Sequence, residues 1–261
     1  MISNEQLDAI GDRLYEAWRG RRPLAPPSEV QPNLTIDHAY RIQQRMVARR
    51  VGQGEQVIGK KIGVTSKAVQ DMLDVRQPDF GILLSGMAYD DGAAIPMDSM
   101  IQPRAEGEIV FFLHSRLQGP GVTAADVLAA TRNVAACFEI VDSRVQDWRI
   151  RIADTVADNA SCGVFAIGAE RVNPATLDLA ACTMTIEKNG EEVAAGVGAA
   201  ALGHPAEAVA WLANELGARG IALEPDEPIL SGSLAVLVPV KAGDALTVRI
   251  EGIGSCAVSF V

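Results

Sequence analysis

The segment Glu106-Gly107-Glu108-Ile109-Val110-Phe111-Phe112-Leu113 opens with two carboxylates and continues as an unbroken apolar run. Such a run, rich in β-branched and aromatic residues, reads as a strand. Strand side chains alternate between faces, so Glu106 and Glu108 share a face with Val110 and Phe112, and that face is expected to be buried. Carboxylates entering a buried face are costly unless something compensates their charge. Gly107 removes the side chain between them and lets another backbone approach. Glu139, in Ala135-Ala136-Cys137-Phe138-Glu139-Ile140-Val141, is likewise the lone charge in an apolar strand. Three carboxylates from two strands would make a hard oxygen site with open positions, suited to Mg²⁺ or Mn²⁺. The plainer alternative is a solvated edge at Glu106 and Glu108, with Glu139 paired to an arginine such as Arg104.

The composition agrees with a cation site. Across 261 residues, 33 Asp and Glu face 23 Lys and Arg, a net charge of −10. That balance disfavours nucleic acid and anionic membrane as partners. With 48% hydrophobic and 21% charged residues, the chain reads as globular. No stretch reaches the roughly 18 apolar residues a membrane helix needs. Met1-Ile2-Ser3-Asn4-Glu5-Gln6 lacks the basic-then-apolar pattern of a signal peptide. The cysteines (137, 162, 182 and 256) are scattered without a CxxC, which suggests reduced thiols and a cytoplasmic location.

Ser3 and Gln6 have capping-box spacing, and Leu7, Ile10, Leu14 and Ala17 follow at helical steps. Prolines 23, 26, 27 and 32 break the pattern. Thr35 starts a second helix with Ala39, Ile42 and Met46 on one face, closed at Gly52-Gln53-Gly54. Residues 1–52 are therefore expected to form an N-terminal helical arm, and 53–261 a catalytic domain. In the latter, strands are expected over 57–64, 106–113 and 133–141, a hairpin turning at Asn189-Gly190, and a strand-turn-strand-turn-strand ending from Ile229. Short helices are expected at 123–131 and from Pro205 to Gly217. Strands cluster and helices stand apart, without βαβ alternation. The fold class is α+β, with a mixed, curled or barrel-like sheet.

The glycines at 196, 198 and 203 have the wrong spacing for a dinucleotide fingerprint. No phosphate loop, HExxH or GxSxG elbow occurs. Ile58-Gly59-Lys60-Lys61-Ile62-Gly63-Val64 is a glycine-bounded apolar strand whose two lysines face opposite ways. One should point inward, as a carboxylate clamp or a base of lowered pKa, unless both snorkel at a strand edge. Asp79, in Gln77-Pro78-Asp79-Phe80-Gly81, is a general acid/base or a turn cap. Asp142-Ser143-Arg144 and Asp154 to Ser161 line a pocket mouth or form a surface loop. Arg104, Asp142 and Arg144 read as structural salt bridges.

Taken together, several stretches resemble the 2-hydroxypenta-2,4-dienoate (2-keto-4-pentenoate) hydratases of meta-cleavage aromatic degradation, within the fumarylacetoacetate hydrolase superfamily. They are Gly59 to Ser66, Gln77 to Gly81, Gln102 to Glu108, Val141 to Arg144, Asp154 to Gly163, Leu202 to Pro205, Ile229 to Ser233 and Gly252 to Ser255. The resemblance covers nearly the whole chain, in order. It implies a β-roll core with flanking helices and a homo-oligomer. It implies Mg²⁺ or Mn²⁺ on Glu106, Glu108 and Glu139, an active-site lysine at Lys61 and a proton-transfer aspartate at Asp79. Ser161 falls in a pocket-lining Asp-Asn-Ala-Ser stretch, and Ser233 joins Lys61 and Ser161 as a substrate contact. The implied reaction ketonises the dienol by protonation at C5, adds water at C4 and gives 4-hydroxy-2-oxopentanoate. The neighbouring activities are 4-oxalocrotonate decarboxylase, which needs an extra cationic pocket for a distal carboxylate, the hydratase of a seven-carbon dicarboxylate dienol, and acylpyruvate or fumarylpyruvate hydrolase. A complex with a pathway decarboxylase is a further implied partner.

Overall fold

The computed structural model describes residues 2–261. In chain order the helices are α1 (Asn4–Gly20), α2 (Pro27–Val30), α3 (Ile36–Val51), α4 (Lys67–Met72), α5 (Ala124–Ala130), α6 (Ile152–Ala157) and α7 (Pro205–Gly217). The strands are β1 (Val57–Gly63), β2 (Asp79–Leu84), β3 (Ala88–Asp90), β4 (Ala93–Ile95), β5 (Arg104–Leu113), β6 (Thr131–Val141) and β7 (Cys162–Ile167). They continue with β8 (Thr183–Lys188), β9 (Glu191–Val197), β10 (Pro228–Leu230), β11 (Val238–Pro239), β12 (Ala245–Ile250) and β13 (Gly254–Phe260). The α+β class and the curled, mixed sheet are as the sequence predicts.

Local chemistry accounts for most element boundaries. Ser3 and Gln6 close a reciprocal capping box at α1, and Thr35 and His38 do the same at α3. Asn189 and Gly190 both adopt positive φ (55° and 85°), as a type I′ hairpin between β8 and β9 requires. Leu7, Ile10 and Leu14 of α1 and Ile42 and Met46 of α3 are buried in the main core. Gln43 fastens α3 to the sheet region, donating to the carbonyls of Phe80 (2.8 Å) and Val156 (3.2 Å).

Two sheets are stacked. The larger has the order β2-β1-β10-β5-β6-β7-β3, with β11 also on β5; the smaller has the order β4-β13-β12-β8-β9. They meet at Gly107, where an added Cβ would lie 2.9 Å from Val248 Cγ2 and 3.1 Å from Met184 Sδ. Glycine at this position serves sheet-on-sheet packing. Even-numbered residues of β5 therefore face away from the smaller sheet. There Val110 joins Ala135, Cys137, Cys162, Phe165, Leu83, Leu84, Met87 and Leu230 in a second apolar cluster inside the curl of the larger sheet.

The chain after β10 keeps β5 company without pairing regularly. β10 pairs with Val110 to Phe112, and β11 pairs with Arg104 and Ala105. Between them, Ser231 N–H donates to Ile109 O (3.2 Å) and Leu234 N–H to Gly107 O (3.1 Å). Regular pairing is thus interrupted beside Glu106 and Glu108. No helix among the described residues is long and apolar enough to cross a membrane.

Candidate active site

β5 and β6 run antiparallel with Glu106 directly opposite Glu139 and Glu108 opposite Cys137. The three glutamates offer oxygens that all lie within 4.8 Å of one another. Glu108 and Glu139 are fully buried and Glu106 is partly buried. Glu108 Oε2 accepts from Gly232 N–H at 2.7 Å, whereas Glu108 Oε1 and both Glu139 oxygens have no hydrogen-bond partner. Gly232 holds its amide there with φ 103°, and an added Cβ would meet Thr65 Oγ1 at 2.3 Å.

Lys61 of β1 reaches the cluster from across the curl, its Nζ 3.3 Å from Glu139 Oε1. Burial opposes the Lys61 charge, but Glu139, Asp79 and Glu106 outweigh it and hold the ammonium more firmly than in free lysine. The contact with Glu139 fits the carboxylate clamp of the two sequence readings. Burial and then Glu139 push Glu106 up to about 7, and burial with both neighbouring glutamates raises Glu108 well above the usual range. Three buried carboxylates with one lysine, and oxygens lacking donors, fit a hard divalent cation. The alternative pairing of Glu139 with Arg104 does not form. Nor is either lysine at a sheet edge, since β1 lies between β2 and β10. Lys60 is also buried and pairs with Glu227.

Asp79 opens β2 beside Lys61's strand and is buried. Thr155 Oγ1 donates to its Oδ2 at 3.2 Å, while Oδ1 has no partner. A Cβ on Gly63 would lie 2.3 Å from that Oδ1, so glycine leaves the room the carboxyl occupies. Burial raises the Asp79 pKa against the opposing pull of Lys61 and Thr155. Such a carboxyl is suited to holding and releasing a proton.

Ser161 ends a strained turn. Asn159, Ala160 and Ser161 have φ of 55°, 51° and 51°, three consecutive non-glycine residues in the left-handed region. Asn159 locks the turn to β2 by accepting from Ile82 N–H (2.8 Å) and donating to Ile82 O (2.9 Å). Buried Ser161 Oγ is left without a partner. Beneath the turn, buried Arg144 pairs with buried Asp158, as a structural salt bridge. Asp142 instead accepts from the Ile101 and Gln102 amides, and no ion pair forms at its carboxylate.

A cavity of about 340 Å³ joins these groups. Lys61, Asp79, Glu106, Ser161 and Ser233 line it, with Ser233 Oγ donating to Ala235 O at 2.9 Å. Glu108 and Glu139 lie beneath. Val64, Val69, Leu73, Val141, Ile150 and Leu237 supply an apolar wall. Val64 itself has φ 58°, a costly conformation for a β-branched residue. Sequence reasoning left Thr155 and the Gly232 amide without roles. Thr155 stood in the polar Asp154 to Ser161 stretch, but its partner lies 76 positions away.

Residues 50–261 match the family model described as fumarylacetoacetate hydrolase, C-terminal. The chain belongs to the fumarylacetoacetate hydrolase family. Among its relatives within that family is the 2-hydroxyhexa-2,4-dienoate hydratase of Comamonas testosteroni, 58% identical over 100% of this chain and 99% of the relative. The 2-hydroxypent-2,4-dienoate hydratase of Pseudomonas putida is 56% identical over 83% of this chain and 98% of its own length. A solved family member, 4-oxalocrotonate decarboxylase from Pseudomonas putida G7 complexed with magnesium and adipate, superposes with a TM-score of 0.97 at 33% identity. That match covers 100% of this chain and 99% of the decarboxylase.

Proposed function

We propose that this family member is a divalent-cation-dependent hydratase that converts 2-hydroxypenta-2,4-dienoate to 4-hydroxy-2-oxopentanoate in aromatic degradation. The observation that carries this reading is the cluster of Glu106, Glu108 and Glu139 with Lys61, at a cavity that Lys61, Glu106 and the buried carboxyl of Asp79 line. The hydratase names of relatives at 58% and 56% identity support it over the decarboxylase reading, whose structure is 33% identical. Glu106, Glu108 and Glu139 are the residues that would hold Mg²⁺ or Mn²⁺. When bound, such a cation supplies Lewis-acid polarisation of a 2-oxo acid's oxygens. Lys61 anchors Glu139 and adds fixed positive charge where negative charge develops on the substrate. Asp79 moves protons to and from the carbon chain, held in place by Thr155. Ser161 Oγ and Ser233 contact the substrate or the attacking water. The apolar wall covers the hydrocarbon end and excludes bulk water.

A cytoplasmic homo-oligomer, able to join a decarboxylase of the same route, completes the proposal. Exposed Val193 and Val197 on β9, and exposed Val236, support self-association. The test strips the protein with chelator, restores Mg²⁺ and supplies freshly made 2-hydroxypenta-2,4-dienoate. Metal-dependent loss of dienol absorbance with 4-hydroxy-2-oxopentanoate formed is the expected result. Release of CO₂ from 4-oxalocrotonate, with the dienoate untouched, would overturn the reading. Cleavage of an acylpyruvate instead would assign the chain to the hydrolases.

A further inference from the structure

Arg104 is the charge in this cavity that the protein does not use. It lies on β5 two residues before Glu106, so it shares the face that carries Glu106 and Glu108. It lines the same cavity. Its guanidinium lies over the Trp148 ring, 4.7 Å from the centroid. Among the described residues, no carboxylate stands within ion-pair distance of it and no protein acceptor takes its N–H groups. The salt bridge expected for it from sequence is not formed. Three other buried or half-buried arginines spend their donors: Arg144 on Asp158, Arg45 on Asp12 and Arg50 on Glu55.

The platform beneath it is itself fixed. Trp148 Nε1–H donates to Gln102 O at 3.0 Å. The Gln102 side chain donates to the carbonyls of Ser143 (2.9 Å) and Val145 (2.6 Å), and its amide N–H donates to Asp142 Oδ1 (2.7 Å). Asp147 and Trp148 take left-handed φ of 57° and 53° to bring the indole to this position. A planar cation stacked on a fixed ring, with its edge donors free, is arranged for a planar anion.

Charge balance points the same way. The three glutamates are balanced by Lys61 and a divalent cation together, so that cluster carries no net positive charge. Asp79 and Asp147 line the cavity too and supply no positive charge. Arg104 is the positive charge that remains for an incoming acid.

We propose that Arg104, stacked on Trp148, is a substrate-binding residue that grips the carboxylate of the 2-oxo acid next to the glutamate cluster. This rests on the 2-oxo acid reading above. It assigns the carboxylate end to the Arg104 side of the cavity and leaves the hydrocarbon end to the apolar wall.

The test is calorimetric binding of pyruvate, which has the 2-oxo acid end and no distal group, to the Mg²⁺-loaded full chain. Arg104→Met is expected to raise the Kd for pyruvate about ten- to a hundredfold, the range for a charge-assisted hydrogen bond pair, with Mg²⁺ affinity unchanged. Arg104→Lys keeps the charge and the stem but loses the fork, and should weaken pyruvate severalfold; it serves if the methionine variant folds poorly. Unchanged pyruvate affinity in the folded variants would overturn the proposal. Weakening confined to adipate, with pyruvate unaffected, would also overturn it by moving Arg104 to a distal carboxylate. Failure of the wild-type chain to bind pyruvate would overturn the 2-oxo acid reading and the Arg104 role with it, a result distinct from loss confined to the variants.

Discussion

Asp79 and Gly63 form a pair in which one residue carries the proposed proton transfer and the other leaves it space. Asp79→Asn keeps the volume and removes the proton. Turnover should fall about 10²- to 10⁴-fold, the contribution typical of general acid/base catalysis, with Mg²⁺ binding unchanged. Wild-type turnover in that variant would dismiss Asp79 from the reaction. Gly63→Ala leaves every charged group in place but would set a methyl 2.3 Å from Asp79 Oδ1. Displacing the carboxyl by about an ångström should cost on the order of a hundredfold in kcat. Its readout is a kcat loss with little change in thermal midpoint. Glu139 was legible from its sequence alone, because a lone carboxylate in an apolar strand has few ways to be satisfied. The shared burial of Lys60 and Lys61 was not. Alternation says that they face opposite ways, but the partner that satisfies Lys60 is Glu227, 167 positions away.

At the scale of elements, local rules explain the starts of α1, α3 and α5, since a capping box needs only four residues to agree. The same holds for the β8–β9 hairpin. They do not explain the turn at Asn159 to Ser161, because its left-handed φ values are held from outside by Ile82 of β2. Asn159→Ala removes both of those bonds and leaves the Ile82 amide unsatisfied. It should destabilise the fold by about 1–3 kcal/mol and release Ser161 from the cavity, measured by urea denaturation together with dienoate turnover. The packing of α1 on α3 carries a pH dependence. Hydrogen bonds from Arg45, joined by Arg49 and opposed by partial burial, hold Asp12 below its ordinary value of 3.8. A depressed carboxylate contributes stability that is present above 3.8 and lost as pH falls through the lower folded-state value. The protection of α1 amides, taken relative to free-chain exchange at the same pH, should therefore fall as pH drops below 3.8, ahead of protection in β5 and β6. Asp12→Asn should already show the lower α1 protection at neutral pH; equal α1 protection in both proteins at neutral pH would discard this account.

For the whole molecule, the proposed cation site is coupled to the stability of the fold. Buried Glu108 and Glu139 leave carboxylate oxygens without partners, a burden that a cation bound as proposed would relieve. Mg²⁺ at a hundred times its Kd should stabilise the chain by about 2.7 kcal/mol, read as a raised thermal midpoint. Glu139→Gln should abolish the rise while losing part of the burden, so its metal-free midpoint should equal or exceed that of the wild type. A Mg²⁺-dependent rise that persists in Glu139→Gln would remove Glu139 from the site. The stacking of the sheets through Gly107 could be anticipated as a close approach, but not its partners, which come from β8 and β12, far along the chain.

The placement of β10 has a temporal consequence. Lys61 on β1 and the glutamates on β5 and β6 belong to one sheet only because residues 228–230 slot between β1 and β5. On the ribosome the carboxylates emerge long before that bridging strand does, since synthesis proceeds from the N-terminus at roughly 5–20 residues per second. For several seconds the nascent chain holds its acids without the backbone that joins them to their lysine. The proposed site is thus among the last features to assemble during biosynthesis, and a chain cut short before β10 would hold its glutamates and its lysine without the strand that joins them.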